Sequence, residues 1–410
     1  MSAAPALRQG LRIAYLSGSP RIATRDDAEV TGPRSHILGL IAALEVDGNE
    51  VEAFILGDRL PPRVSGTGSL QLITGGWLRQ LAVDMVRLAL RWTVARRARR
   101  ELQGPLDLSY ERFALFQNLG RGFQRSGTPW VLETNAVVAQ EAKRERNSLV
   151  LGRVASWLER RAYRQADLIV CISESLRDMI VADAGVPRDR IVVMPNGVDL
   201  ERFAASGTPA GRAAGGTGVV VGYVGLVTER QGLDQLIRAV GHLSREGVDI
   251  RAVIVGDGPD RPRLEEQVTA EGLEHRVEFV GQVAWQAVPG WIERFSVGYS
   301  GQRGVGGMPM YHSPLKIYEY LGVGRPVVAS RYPDAVDTLV APRAGWVFPA
   351  GDEAALTDLL REVAQLPSDE LSAYGHRARQ HVEHHHTWQH RSARLIDVLE
   401  ERGLVVRPPR

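Results

Sequence analysis

The segment running from His312 through SPLKIYEYLGVGRPVVAS (Ser313–Ser330) places a lysine and a glutamate one helical turn apart, just behind a Ser-Pro step. Ser313 suits a helix N-cap and Pro314 a first turn. The spacing predicts a helix over Leu315–Val323, a close at Gly324 and a strand through PVVAS. Backbone amides at such a helix start, with Lys316, form a site for an anion such as a diphosphate. Glu319 falls on the same face as Lys316. A carboxylate there can accept two hydrogen bonds from a ribose 2′,3′-diol. The same residues also describe a capped amphipathic helix with a surface Lys–Glu pair, and spacing alone leaves both readings open. Lys143 and Lys316 are the only lysines among 50 basic residues. That bias points to genome base composition, yet it singles out each lysine that remains.

Two more glycine turns in the same half could approach a ligand. They are GYVGLVTERQG (Gly222–Gly232), with Gly225 and Arg230, and VGDGP (Val255–Pro259), with Gly256 and Asp257. Glycine there lets a ligand approach the backbone. Any α/β turn uses glycine, so the weight comes from three such turns at strand ends in one half. In the first half, Thr31-Gly32-Pro33-Arg34-Ser35-His36 precedes a helical stretch. It reads either as a simple capped helix start or as a seat for an acceptor or a leaving phosphate.

The elements that must position these residues follow a repeated rhythm. Strand, helix and strand occupy Leu11–Ser19, Ser35–Asp47 and Val51–Leu56, a βαβ unit of the kind that builds parallel sheets. Further strands are expected at Leu106–Tyr110, Trp130–Glu133, Leu168–Ile172 and Ile191–Met194. The stretch 201–218 is rich in Gly, Ala, Ser and Thr, lacks an apolar period and reads as a linker. Strands then restart at Val219–Gly225, Arg251–Pro259 and Val277–Gly281, with helices over Leu233–Glu246 and Arg261–Glu271, and a mostly helical pattern from Ala354 to Glu401. The expected class is α/β, with two Rossmann-like doubly wound domains facing a cleft. The expected divisions are 1–200, a linker over 201–218, a ligand-binding domain over 219–380 and a returning helix over 381–410. Ligands in such sheets bind at the carboxyl ends of strands.

Bulk properties exclude several classes. At 410 residues the chain exceeds the size at which one core stops growing. Its net charge of +2 gives no field toward nucleic acid. The N-terminus lacks the apolar run of a signal peptide, and no stretch approaches a membrane span, so a cytoplasmic protein is expected. The single cysteine, Cys171, lies in an apolar run and reads as a buried structural thiol.

The order IVVMPNGVDLERF (Ile191–Phe203), VGDGP, VEFVG, then SPLKIYEYLGVGRPVVAS resembles glycosyltransferase family 4, and its SPLKxxEY pattern one branch of it. YERF (Tyr110–Phe113), GTPWVLETNA (Gly127–Ala136) and ADLIVCISESL (Ala166–Leu176) extend the likeness over nearly the whole chain. The resemblance implies the GT-B fold and transfer of a sugar, with retention, from a UDP- or GDP-sugar to a hydroxyl acceptor. That acceptor would be a glycan, a lipid-linked glycan or a natural product. No cofactor or metal is implied. Position by position, Glu319 would bind the donor ribose, and Lys316 with the amides near Ser313, Pro314 and Leu315 would hold the diphosphate. Gly225, Arg230, Gly256, Asp257, Gly281 and Val283 would lie near phosphate and base. Gly32, His36, Glu133 and Asn135 would line the acceptor side, with Glu141 a further contact there. Asn135 falls near the position where relatives place a histidine against the transferred sugar, so Lys316, Glu319 and Asn135 become the catalytic candidates.

Two departures stand out. Many members carry an arginine and a lysine in the glycine turn, and the matching positions here are Leu226 and Gln231. Arg230, Lys316 and Arg303 are the candidates to compensate. The paired glutamate eight residues before Glu319 is replaced by Tyr311. Leu226 and Gln231 keep open a catalytically altered homologue that serves as partner or scaffold, and a nucleotide-sugar epimerase is a further alternative. Arg87–Arg100 reads as a basic helix, either a solvated surface or a peripheral contact with the inner membrane leaflet. The cluster His381, His384, His385, His386 and His390 lacks a convincing second set of supports for a metal.

Overall fold

The computed structural model describes residues 10–26, 28, 31–61, 76–144, 149–204, 218–304 and 310–407. Most of the expected linker, 205–217, lies outside the described residues. The chain forms two compact units. One comprises Met1–Pro195 with Trp388–Arg410, the other Asn196–Thr387.

The first unit is built on strands β1 (Arg12–Ser17), β2 (Glu50–Ile55), β3 (Leu108–Arg112), β4 (Trp130–Thr134), β5 (Leu168–Cys171) and β6 (Ile191–Val193). They form one parallel sheet in the order β2-β1-β3-β4-β5-β6. Its central strands are buried on both faces, as a parallel sheet covered by helices requires. Helices α1 (Gly32–Val46), α2 (Trp77–Glu101), α3 (Gly120–Gln124), α4 (Val138–Arg144), α5 (Gly152–Gln165), α6 (Glu174–Ala184) and the last helix, Trp388–Glu401, belong to it. α2 is 25 residues long and begins ten residues before the basic stretch that announced it.

The second unit repeats the plan with β7 (Val219–Val224), β8 (Ile250–Val255), β9 (Val277–Gly281), β10 (Val297–Ser300), β11 (Val327–Ser330) and β12 (Gly345–Phe348). The order is β12-β11-β10-β7-β8-β9, again parallel. Helices α7 (Leu233–Arg245), α8 (Arg261–Ala270), α9 (Val288–Ile292), α10 (Leu315–Gly322), α11 (Pro333–Leu339), α12 (Glu353–Gln365) and α13 (Ser368–His385) flank it, and α14 is the helix Trp388–Glu401 of the first unit. Cores on the two faces of the second sheet bury Val221, Ile254 and Leu360 on one side and Ile317, Tyr320 and Ala329 on the other. Strand order reverses between β1 and β3 and between β7 and β10, which fixes where a ligand crevice opens in each sheet. Among the described residues no helix is long and apolar enough to cross a membrane.

Candidate functional site

In the second unit, the carboxyl ends of β7, β8 and β9 meet backbone to backbone. Gly225 N donates to Val255 O at 3.0 Å, and Gly256 N donates to Gly281 O at 2.8 Å. A Cβ on Gly256 would stand 2.0 Å from Gly225 O, with φ at +135°, so glycine is required there. The turn after β7 leads through Leu226 and Arg230 to Gln231, beside the β7/β10 switch point.

α10 brings Lys316 and Glu319 to that turn. Lys316 Nζ donates to Gln231 Oε1 at 2.7 Å and lies 4.2 Å from the centre of the Tyr223 ring. A Cβ on Gly225 would sit 3.5 Å from the same ammonium. The helix is fixed against the sheet by Tyr320, whose hydroxyl accepts from Val224 N at 2.8 Å. One turn on from Lys316, the Glu319 carboxylate takes no hydrogen bond and no ion pair among the described residues, which leaves its acceptors open.

Burial pushes the Lys316 ammonium down to about 7, against the pull of Glu319 and with the push of Arg230. Burial pushes Glu319 up to about 7, against Lys316 and Arg202. His312 is held at about 3 by burial and by Arg230, so it is a neutral imidazole, and its Nε2 is buried without a partner among the described residues.

Ser313 is not the N-cap. Pro314 takes that position, with extended backbone and no side-chain cap bond. Ser313 Oγ instead accepts from Asn196 N at 3.0 Å and lies 3.0 Å from Tyr318 Oη. Asn196 Nδ2 donates to Ser313 O. Tyr318 Oη in turn donates to the Asp334 carboxylate. Arg303 does not supply a spare charge either. Its guanidinium is spent on Asp234 at 3.1 Å and on Gln235. Asp257 turns to Gly258 N and Arg261, and Val283 packs half-buried beside the second core. Leu226 is exposed, with its carbonyl held by Tyr223 Oη at 2.8 Å.

The first unit gathers a second constellation. Glu133, on β4, is the register partner of Arg112 on β3. Its carboxylate accepts from Arg112 Nη1 at 2.6 Å, Tyr110 Oη at 2.8 Å and Asn135 Nδ2 at 2.6 Å, with His36 Nε2 at 2.9 Å. Burial raises its pKa, but His36 and Arg112 outweigh burial and hold it far below the usual carboxylate range. His36 lies in the first turns of α1, whose N-cap Thr31 accepts from Arg34 N, and Gly32 opens the helix exposed. Trp388 stacks edge-on against His36 at 4.9 Å and passes over Gly39, where a Cβ would meet the indole at 2.3 Å. Asn135 Oδ1 is buried without a partner among the described residues. Glu133 is thus a saturated hub that orients His36 and Asn135. Glu141 stands on α4, half-buried and outside this hub.

Lys316 lies beside Gly225 and Gln231; the sequence reading gave no role to Gln231 as the acceptor for Lys316 or to Asn196 as the clasp on Ser313, and took His312 only as the edge of the segment. The PNG motif at Pro195–Gly197 was the only signal for Asn196. Cys171 is buried with its thiol pushed up to about 12, as a structural thiol should be. Among the described residues no group of histidine, cysteine and carboxylate side chains could hold a metal ion.

Two Rossmann-like units, one of them with a glycine turn, a lysine and an open carboxylate at its switch point, define the GT-B class of nucleotide-binding fold. The family described as "Glycosyltransferase Family 4" matches residues 30–202, and that described as "Glycosyl transferases group 1" matches residues 218–365. The chain belongs to this glycosyltransferase family. It is similar to WcaL of Escherichia coli, named for a glycosyltransferase role in colanic acid biosynthesis, at 31% identity over 58% of this chain and 57% of that protein. It is 32% identical to an alpha-D-kanosaminyltransferase of Streptomyces kanamyceticus, over 34% of this chain and 37% of that one. It is 28% identical to a GDP-mannose-dependent phosphatidylinositol monomannoside mannosyltransferase of Mycolicibacterium smegmatis, over 61% and 66%. The matches thus span about half the length of these curated relatives. HepE of Anabaena in complex with UDP shares the fold with a TM-score of 0.67 at 17% identity, over 95% of this chain and 100% of that one. Sucrose-phosphate synthase of Thermosynechococcus elongatus does so with 0.69 at 17%, over 95% and 98%.

Proposed function

We propose that this protein transfers a glycosyl group from a UDP- or GDP-sugar to a hydroxyl acceptor with retention of configuration. One observation carries the reading: the Lys316 ammonium lies inside the Gly225–Gly232 turn against Gln231, with the open Glu319 carboxylate one helical turn away. The position where many family members carry a lysine is filled here by glutamine, and the charge arrives from α10 instead. That weighs against a scaffold reading built on Leu226 and Gln231. The UDP held by HepE and the GDP-mannose dependence of the mycobacterial relative support a nucleoside-diphosphate donor without choosing the base.

In this reading Glu319 accepts from both ribose hydroxyls, and Lys316 with the amides of Ser313 and Leu315, on either side of Pro314, faces the diphosphate. Gly225, Arg230, Gly256, Asp257, Gly281 and Val283 line the phosphate and base. As the bond between the anomeric carbon and the phosphate oxygen breaks, negative charge builds on the diphosphate, and Lys316 stabilises it. The acceptor hydroxyl attacks from the same face and gives its proton to the departing phosphate. Gly32, His36 and Asn135 take the sugar and acceptor side, with Glu133 positioning His36 and Asn135. The acceptor is a glycan, a lipid-linked glycan or a natural product. A cytoplasmic location with peripheral contact at the inner leaflet, through the basic stretch 87–100, belongs to the same reading.

Calorimetry with UDP, GDP and uridine tests it. Micromolar binding of one diphosphate, much tighter than its nucleoside, is expected. If no nucleotide binds, the scaffold alternative takes over. Free sugar or an epimer formed without acceptor would favour the epimerase.

A further inference from the structure

α2 carries an apolar face outward. Leu78, Ala82, Met85, Ala89 and Trp92 recur at helical spacing along one line, and all are exposed. Leu78 keeps 64% of its surface and Trp92 58%. A helix lying on a protein normally shows its polar side to water. Here the inward side is filled as well. Val94 and Ala98 join the core with Leu16 and Phe54. The buried Asp84 carboxylate accepts from Val150 N at 2.8 Å and Leu151 N at 3.0 Å, which ties α2 to the start of α5.

α5 continues the surface. Val154 and Trp157 are exposed, with Arg153 and Arg161 beside them. Arg161 lies close enough to Arg91 for its charge, after burial, to lower the Arg91 pKa. The two helices are close to pure cation on the outside. The carboxylates of Asp84 and Glu159 are buried as backbone acceptors, and Glu101 is paired with Arg97 and Arg59. Exposed Arg79, Arg96, Arg99 and Arg100 flank the apolar line.

We infer that this two-helix face docks on an anionic phospholipid bilayer, with Leu78, Met85, Trp92 and Trp157 entering the headgroup boundary and the arginines facing lipid phosphate. Apolar side chains and tryptophan on two adjoining helices, rimmed by guanidinium groups and with Glu101, paired to Arg97 and Arg59, as the one exposed acid of these helices, match the interfacial zone of such a bilayer. The inference rests on the peripheral-membrane reading above but moves the contact. The inserting line runs on α2 from Leu78 through Met85 to Trp92 and continues on α5, and the arginines of the stretch 87–100 are its electrostatic flank.

The test is co-sedimentation of the full chain with vesicles of phosphatidylcholine alone and of phosphatidylcholine with 30 mol% phosphatidylglycerol. Binding to the anionic vesicles at least tenfold tighter is expected, weakening as salt rises. Met85→Glu with Trp92→Glu, and separately Trp157→Glu, should each cut that binding at least fivefold while the thermal melt and UDP affinity stay unchanged. If Arg96→Glu with Arg100→Glu abolishes binding but the Met85/Trp92 pair does not, the basic-stretch reading stands and this inference falls. If neither vesicle binds, both fall, whatever the UDP result. A dimer in light scattering that Met85→Glu dissolves would show that a second copy covers the face, and would overturn the inference.

Discussion

Asn196 grips Ser313 at both ends, its backbone N–H on the Ser313 hydroxyl at 3.0 Å and its side-chain amide on the Ser313 carbonyl. Both residues are buried. The clasp sets the turn that delivers Pro314 and the first amides of α10, and so the height at which Lys316 meets Gln231. A buried carbonyl that loses a hydrogen-bond donor costs about 1–3 kcal/mol. Asn196→Ala should therefore lower stability by about that amount in urea denaturation and weaken UDP binding severalfold. Unchanged UDP affinity beside a lowered stability would show that the clasp holds the fold but not the site.

This contact also shows where sequence reading reaches its limit. The Lys316–Glu319 pair was legible because helical spacing is local, and Gly324 closed the helix as expected with φ at +74°. Ser313 was misassigned because its hydroxyl is satisfied by a residue 117 positions away, which no local cap rule can weigh. Gln231 looked like a lost charge because its partner, Lys316, lies 85 positions on. The front of α2 escaped notice for a different reason. In LRQLAVDMV the one acid, Asp84, is turned inward and buried, so the pattern does not announce which side meets water.

Lys316→Ala should separate phosphate from nucleoside. A charge-assisted hydrogen bond contributes about 1.5–3 kcal/mol, roughly ten- to hundredfold in affinity. Calorimetry should show that loss for UDP or GDP, whichever binds, and less than about twofold for the matching nucleoside. Equal losses would mean that Lys316 does not face phosphate.

Glu319→Gln should separate ribose from phosphate in the opposite sense. Two hydrogen bonds from a diol to a carboxylate become weaker and partly mismatched with an amide, for a loss of about 1–2 kcal/mol. A 2′,3′-dideoxynucleoside diphosphate should bind the variant and the parent almost equally. A large loss for the dideoxy ligand would remove Glu319 from the ribose.

The same two residues predict a bell-shaped pH dependence of nucleotide affinity. Lys316, lowered to about 7, is increasingly neutral above that pH, so diphosphate binding must take up a proton and affinity falls, by at most about tenfold per pH unit. Glu319, raised to about 7, is increasingly protonated below it, which weakens the ribose contact. The alkaline limb should vanish in Lys316→Ala and the acid limb in Glu319→Gln. Calorimetry in buffers of different ionisation heat would show the proton uptake directly, and a flat profile from pH 6 to 9 would contradict both assignments.

Glu133 gives the prediction for the first unit. Its carboxylate is almost fully buried and holds Arg112, Tyr110, Asn135 and His36 together. Removing one partner of a buried ion pair leaves the other charge without compensation and costs about 3–5 kcal/mol. Glu133→Ala should therefore be among the most destabilising single changes in the sheet, read as a shift in the urea midpoint at constant slope. Its folded pKa lies far below the ordinary 4.5. The stability it contributes is then fully present above about pH 4.5 and is lost as pH falls toward the folded value. The gap between parent and variant should narrow only below about pH 4.5. A gap that stays constant through that range would mean that Glu133 is not ionised in the fold, and His36 and Asn135 would need another anchor.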